Sequence, residues 1–403
     1  MLVAPSAYDF VVIGAGVIGI TVARALRRKY GARVIIIEKE SGAGHHASGR
    51  NSGVLHAGVY YKPGTLKARL CVEGSRQMKE YCRTKGIPMN EHGKVIVARN
   101  EAELPDLKTL YQRAQQNGAT VSLLDAQALE DIEPCAKSVS QALYVKDTAV
   151  VNPRQVMKSL NSDAVRDGIE FRFDCRWLEP ASRKAAKTSK GTITYGHLVN
   201  CAGLFADRVA HAFGVGRDYR ILPFRGQYYR LSANSRMRVL GNIYPVPDLR
   251  NPFLGVHFTR QPEGEVYVGP SALPLLGREQ YAGLRGINRQ DAGTMCRYLV
   301  RLFRRNQDHF RSIAWRELIK ITRGGFFREA EGLGIGLQPK DLLRGKEAGI
   351  RAQLVNSQTG DLVNDFVVED GPYSTHVLNA VSPAFTSSFA FAEHIAAALR
   401  LDN

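Results

Sequence analysis

The first apolar run of the chain, Phe10-Val-Val-Ile13, gives way at once to Gly14-Ala-Gly16-Val-Ile-Gly19, then to a mixed stretch reaching Tyr30. A second apolar run, Val34-Ile-Ile-Ile37, ends on Glu38. Short unbroken apolar runs bounded by turn formers read as strands buried on both faces, and the stretch between them reads as a helix. Residues 10 to 38 therefore predict a β–α–β unit.

Further along, Ser41 to Gly53 is rich in small residues and turn formers, a loop able to lie flat against a flat ligand. A helix is expected from Thr65 to Lys85, with Leu66, Leu70, Tyr81 and Cys82 on or near one face and Gly86 at its end. Residues 94 to 99 read as a strand, Ala102 to Gln116 as a helix closing near Gly118, and Asn152-Pro153 as the start of a helix that stops near Gly168. His197 to Asp207 repeats the strand-to-glycine turn. The pattern then changes to strand-like runs at Gly226 to Leu231, Phe253 to Thr259 and Glu265 to Val268, the last two joined by Gln261-Pro262-Glu263-Gly264. A hairpin around Thr359-Gly360 is expected between Gly349 to Val355 and Asp361 to Val368, before a final strand from Thr375 and a helix from Thr386 to Leu399.

The expected fold class is α/β, with a Rossmann-like nucleotide-binding domain interwoven with an antiparallel-sheet domain. The first takes residues 1–90, 145–215 and 340–403; the second takes 91–144 and 216–339.

Three glycines at this spacing serve a tight turn, a close approach of backbone N–H groups to a pyrophosphate, and a close-packed helix, while Glu38 is placed to bond a ribose hydroxyl. The fingerprint does not separate NAD from FAD, since either carries that ribose. With 403 residues and 44% apolar composition the chain is a globular protein of about two domains. Its six cysteines form no C-x-x-C pair and have no histidine at ligand spacing, which implies a reduced, cytoplasmic setting and no metal. No export signal and no run of about 18 apolar residues is present.

The formal charge of +17 admits an acidic substrate, an anionic membrane surface or nucleic acid as partner. No nucleic-acid-binding motif supports the last. The densest cationic stretch, Arg297-Tyr-Leu-Val-Arg301-Leu-Phe-Arg304-Arg305, reads first as a packed helix with a solvated face. Peripheral contact with the inner face of a membrane is its alternative.

With the fingerprint, the Cys201-Ala-Gly203-Leu turn and the terminal strand and helix assembled, the chain resembles the D-amino-acid oxidase-like FAD-dependent oxidoreductases. Asn51-Ser-Gly-Val-Leu-His56-Ala-Gly-Val-Tyr60-Tyr61-Lys62-Pro63, Pro223-Phe-Arg225-Gly226, Gly241-Asn-Ile-Tyr244-Pro-Val-Pro247, Phe253-Leu-Gly-Val-His257-Phe and Gly349-Ile-Arg351-Ala-Gln353 resemble, more narrowly, the L-2-hydroxyglutarate oxidases and dehydrogenases. Ser382-Pro-Ala-Phe385-Thr386 resembles the turn beside the flavin, with Phe385 where a small residue is expected.

This resemblance implies FAD as cofactor, a dicarboxylate substrate, oxidation of L-2-hydroxyglutarate to 2-oxoglutarate as metabolite repair, and quinone or oxygen as electron acceptor. The alternative is a related flavoprotein acting on an amino acid, glycerol phosphate or another 2-hydroxy acid. It implies His56 or His257 as the base for the hydroxyl proton, with His56 preferred because it follows the glycine-rich loop, and Arg351 as the partner of the α-carboxylate. Arg225, Lys62, Tyr60, Tyr61 and Tyr228 are candidates for the second carboxylate. Gly14, Gly16, Gly19, Glu38, Lys39, Ser48, Asn51, Ser52, Gly53, Ala202, Gly203, Ser382, Pro383 and Thr386 are expected to hold the cofactor. His45 and His46 either bond the flavin or are polar loop residues.

Overall fold

The computed structural model describes residues 7–249, 254–306, 309–345 and 349–399. The chain forms two compact units, Met1–Asn51 with Pro153–Pro223 and Arg351–Asn403, and Ser52–Asn152 with Phe224–Ile350.

The first unit is built on β1 (Tyr8–Ile13), α1 (Val17–Tyr30) and β2 (Val34–Ile37). β1 lies between β2 and strand Gly191–Asn200, parallel to both, and Gly191–Asn200 pairs in parallel with Ser374–Asn379. Val11, Val12, Ile35 and Ile36 are buried, as a parallel sheet covered on both faces requires. Three of these strands run the same way and stop at one edge, at Ile13, Ile37 and Asn200. Gly14 N–H donates to Ile37 O at 2.8 Å and Cys201 N–H to Ile13 O at 2.9 Å, which locks the three exits together. In an open parallel sheet this carboxyl edge is where a ligand is received.

The second unit carries an eight-stranded sheet in which Lys94–Val97 pairs in parallel with Asn242–Pro245 and the remaining neighbours are antiparallel. Side chains alternate across it. Val95, Val97, Ile243 and Phe258 pack with Phe326 on one face, and Ile96, Ala98 and Tyr244 pack with Leu107 and Leu110 of helix Leu104–Gln116 on the other. Helix Leu66–Thr84 starts at Thr65, whose hydroxyl accepts from Ala68 N–H.

Several sequence expectations are corrected. Residues 52–90 and 145–152 cluster with the second unit, because strand Val54–Leu55 pairs with Ala149–Val151 and Asn117 donates to the carbonyls of Gly58 and Tyr61. Residues 216–223 cluster with the first unit and 340–350 with the second. The run Gly226 to Leu231 is not one strand. Tyr219–Gly226 ends at the glycine and a separate strand covers Tyr229–Leu231. Around Thr359-Gly360 a single bridge joins Val355 and Leu362, while Val367–Gly371 pairs with Ser374–Asn379. Phe253, the expected start of a strand, lies outside the described residues; strand His257–Arg260 begins four positions later.

His376 sits at the heart of the first unit. Its Nδ1 accepts from Asn200 Nδ2 at 3.1 Å, its Nε2 meets Ser374 Oγ at 3.0 Å, and its ring lies 5.1 Å from that of Phe213. Burial pushes its pKa down to about 4, neighbouring His197 acts in the same sense, and Asp370 opposes them. Between about pH 6.5 and that value the unfolded chain binds a proton that the folded one refuses, so stability is complete above the window and falls as pH drops through it. Denaturant melts at about pH 7 and pH 4 should show His376→Gln losing about 3 kcal/mol less than the parent. Parallel losses contradict this role.

Candidate functional site

At the carboxyl edge of the first unit the three glycines take three separate parts. Gly14 has φ +102°, and a Cβ there would stand 2.6 Å from Cys201 O; a Cβ on Gly19 would stand 1.9 Å from Gly14 O. Both positions are closed by the protein's own backbone. Gly16 differs: within 4 Å a Cβ there would meet only Ser48 Oγ, at 3.1 Å, so its outer side opens onto space. That opening faces the first turn of α1, which carries no acidic residue, and Ser48 Oγ already accepts from Val17 N–H at 2.9 Å. Unpaired N–H groups at a helix start, approached through a glycine, fit a pyrophosphate.

Glu38 is held beside them. Its Oε2 accepts from Ala15 N–H at 2.8 Å and its Oε1 from Glu40 N–H at 2.9 Å. Each carboxylate oxygen retains acceptor capacity, which suits two ribose hydroxyls. The open side of Gly16, the start of α1 and the Glu38 carboxylate together fit the adenosine diphosphate half of FAD.

Lys39 and His46 have another commitment. Both bond the Glu40 carboxylate, which burial would raise but which these two contacts hold at about 2. Asn51 braces the loop by donating to the carbonyls of Ala47 and Ser48. Ala202 N–H is held by Asn200 Oδ1 at 3.1 Å, and Gly203 follows with φ +53°. Thr386 is buried in the first turn of helix Ala384–Ala398, Pro383 precedes that helix buried, and Ser382 is exposed. Phe385 is half-buried in the same turn. Ser52 and Gly53 belong to the second unit, where their carbonyls accept from Gln261 Nε2 and Val151 N–H.

The second unit gathers a buried aromatic and cationic cluster. Because Ile243 pairs with Phe258, Tyr244 and His257 stand side by side, and their rings stack at 3.8 Å and 14°. His257 Nδ1 lies 2.9 Å from Gly255 O. A carbonyl can only accept, so Nδ1 carries the hydrogen and Nε2 is the basic nitrogen of the neutral ring. Tyr60 stands edge-on to His56 at 6.4 Å. Lys94 lies over both tyrosine rings, its Nζ 4.5 Å from the Tyr60 ring centre and 5.0 Å from that of Tyr244. Both candidate histidines and Tyr60 are thus brought into one continuous cluster.

The other candidates have the following surroundings. Lys62 is exposed in the turn before helix Leu66–Thr84, Tyr61 presents its ring to Lys67 Nζ at 5.6 Å, and Tyr228 faces Tyr267 at 6.3 Å. Arg225 is half-buried on a strand paired with Leu273, and its Nε finds no hydrogen-bond partner among the described residues. Arg351 is half-buried on strand Gly349–Asn356, where the Gln353 amide donates to the carbonyls of Leu354 and Val363. Lys94 and Tyr244 were given no role by sequence reasoning. The available signal was a lone cation heading the apolar run Val95-Ile-Val97.

Residues 9–398 match the family model described as FAD dependent oxidoreductase. The chain is 36% identical to the mitochondrial L-2-hydroxyglutarate dehydrogenase of Homo sapiens over 97% of this chain and 88% of that one. It is 37% identical to the L-2-hydroxyglutarate dehydrogenase of Salmonella houtenae over 96% and 92%. Among solved structures it is similar in fold to an L-α-glycerophosphate oxidase from Mycoplasma pneumoniae with FAD bound, with a TM-score of 0.74 at 20% identity over 98% of this chain and 95% of that one. A glycine oxidase from Geobacillus kaustophilus gives a TM-score of 0.70 at 17% identity over 96% and 93%.

Proposed function

Because this chain belongs to the FAD-dependent oxidoreductase family, and within it to the L-2-hydroxyglutarate dehydrogenases, we propose that it oxidises L-2-hydroxyglutarate to 2-oxoglutarate. The observation that carries this reading is the relationship itself, which spans nearly the full length of both chains. The glycine and Glu38 seat supports the cofactor half of it. Bound FAD supplies the acceptor for the hydride that leaves the α-carbon.

The chain's own residues bind, orient and take the proton. Arg351 pairs with the α-carboxylate, since a planar guanidinium offers two parallel bonds and so fixes the angle as well as the place of the substrate. His257 accepts the hydroxyl proton at Nε2, its ring plane set by the Tyr244 stack and its tautomer by Gly255. His56 is the second candidate for the base.

A quinone at an anionic membrane surface is the electron acceptor this reading favours over oxygen. Helix Arg289–Arg305 exposes Val300 and Phe303 among Arg297, Arg301, Arg304 and Arg305, and helix Phe310–Ile319 exposes Leu318 and Trp315, the last 63% exposed. Apolar side chains interleaved with cations suit a peripheral seat on acidic lipid. Among the described residues no helix is long and apolar enough to cross a membrane.

Steady-state turnover with a soluble quinone, across L- and D-2-hydroxyglutarate, glycine, L-proline and glycerol 3-phosphate, tests the substrate. The expected result is a kcat/KM for the L-hydroxy diacid about 100-fold or more above every other compound. Preference for an amine or for glycerol phosphate overturns the assignment.

A further inference from the structure

Lys94 is 1% exposed, and among the described residues its Nζ has no hydrogen-bond partner. Buried ammonium groups are ordinarily paired with a carboxylate, because an isolated charge away from water is costly. Here the protein supplies ring faces in place of an acid, those of Tyr60 and Tyr244. Lys94 and Ile96 point to the same face of the sheet, the one that also carries Tyr244 and the stacked His257 ring. A cation kept in an aromatic box and lacking a counter-charge, one ring away from each candidate base, is prepared for an anion that arrives from outside the chain.

We propose that Lys94 is the cation that receives the distal carboxylate of the diacid substrate, and so sets the preference for a dicarboxylate over a monocarboxylate. The proposal rests on the substrate reading above and goes beyond it in assigning the second carboxylate. Arg225, Lys62 and Tyr61 are not needed for that task. The ring faces hold the ammonium in position without neutralising it, so the full attraction is kept for the ligand.

The electrostatics supply a second, independent signature. Burial pulls Lys94 down to about 7, only partly opposed by the nearby Cys71 thiol. Among the described residues, the titratable groups near its Nζ include Tyr60, Tyr244 and Cys71. Burial pushes Tyr60 well above its usual range and Cys71 up to about 12, so neither changes charge near neutrality. A carboxylate binds the protonated lysine, and above the free lysine's pKa each added pH unit charges the cost of protonation to binding. Diacid affinity therefore falls as pH rises past about 7, whereas monoacid affinity does not follow it.

The test compares 2-oxoglutarate with 2-oxopentanoate, the monoacid of equal length, binding to the flavin-loaded protein. Binding is read from the perturbation of the flavin spectrum in the parent and in Lys94→Met, which keeps the volume and removes only a buried charge. In the parent the diacid is expected to bind about 100-fold more tightly, with an affinity declining above neutrality. In Lys94→Met that advantage should shrink to within about threefold, the pH dependence should vanish, and the monoacid should bind as in the parent.

A Lys94→Met protein that retains flavin and the parental diacid advantage overturns the proposal, as does an equal loss for both ligands, which marks a structural role. A variant that does not fold is replaced by Lys94→Gln and judged by the same ratio. If the parent itself binds both acids equally, the substrate reading fails together with the proposal, and that outcome is distinct from the other two.

Discussion

Gly19→Ala is expected to yield a destabilised protein that purifies without flavin. The added methyl would lie 1.9 Å from Gly14 O and 3.1 Å from Gly14 C, both backbone atoms. No rotamer relieves a backbone clash, so α1 must withdraw from the turn that follows β1. Overpacking against a buried wall costs about 3 kcal/mol, and the displaced helix start no longer meets the cofactor. Gly16→Ala is the informative partner, because its methyl meets only a serine hydroxyl at 3.1 Å and otherwise projects into the space a pyrophosphate needs. It should keep the parental melting temperature to within a few degrees and still lose flavin. Flavin-to-protein absorbance ratios and thermal melts on the two variants decide the matter. Stoichiometric flavin in Gly16→Ala would remove the pyrophosphate from the place assigned to it.

Arg351→Ala is expected to lower kcat/KM for the L-hydroxy diacid about 1000-fold while flavin content stays at the parental level. Removing a bidentate charge-assisted pair loses both attraction and orientation, and a substrate free to rotate spends less time with its α-hydrogen aligned for transfer. Arg351→Lys should recover only part of the loss, since an ammonium restores the charge without the planar fork. Steady-state kinetics beside flavin occupancy reads both effects. A change of less than about threefold in kcat/KM places the α-carboxylate elsewhere, with half-buried Arg225 the next residue to test.

The turn and helix start proposed as the nucleotide seat were legible in the sequence because their determinants are local. Gly14, Gly16, Gly19 and Glu38 fall within one β–α–β unit, and only glycine accepts the φ of Gly14 and the approach of Gly19. Helix limits were legible where a residue has one local task, as with the Thr65 hydroxyl at a helix start and Gly86 with φ +63° beyond its end. Partner choice was not. Val367–Gly371 turns back onto Ser374–Asn379 in place of joining the strand before it, and Val54–Leu55 pairs with a strand about ninety positions away. Pairing of this kind depends on what covers each face after collapse, which residue order alone does not state.

The histidines of the second unit are marked by resemblance, yet their chemistry depends on neighbours set by the fold. The Gly255 carbonyl that fixes the tautomer of His257 is two residues away, and no sequence rule assigns it. Lys94 was hidden for the opposite reason. In a chain with 55 lysines and arginines, a single lysine is a surface residue until burial shows otherwise.

The central claim is that this chain holds FAD and uses it to oxidise an L-2-hydroxy diacid. The most direct measurement is anaerobic addition of L-2-hydroxyglutarate to the purified flavin-loaded protein, followed by the visible flavin spectrum and by assay of the acid released. The account predicts bleaching of the oxidised flavin band with one equivalent of 2-oxoglutarate formed per flavin, and no bleaching by the D enantiomer. A yellow protein whose spectrum is unchanged by the L-diacid but bleached by glycine or glycerol 3-phosphate would contradict it.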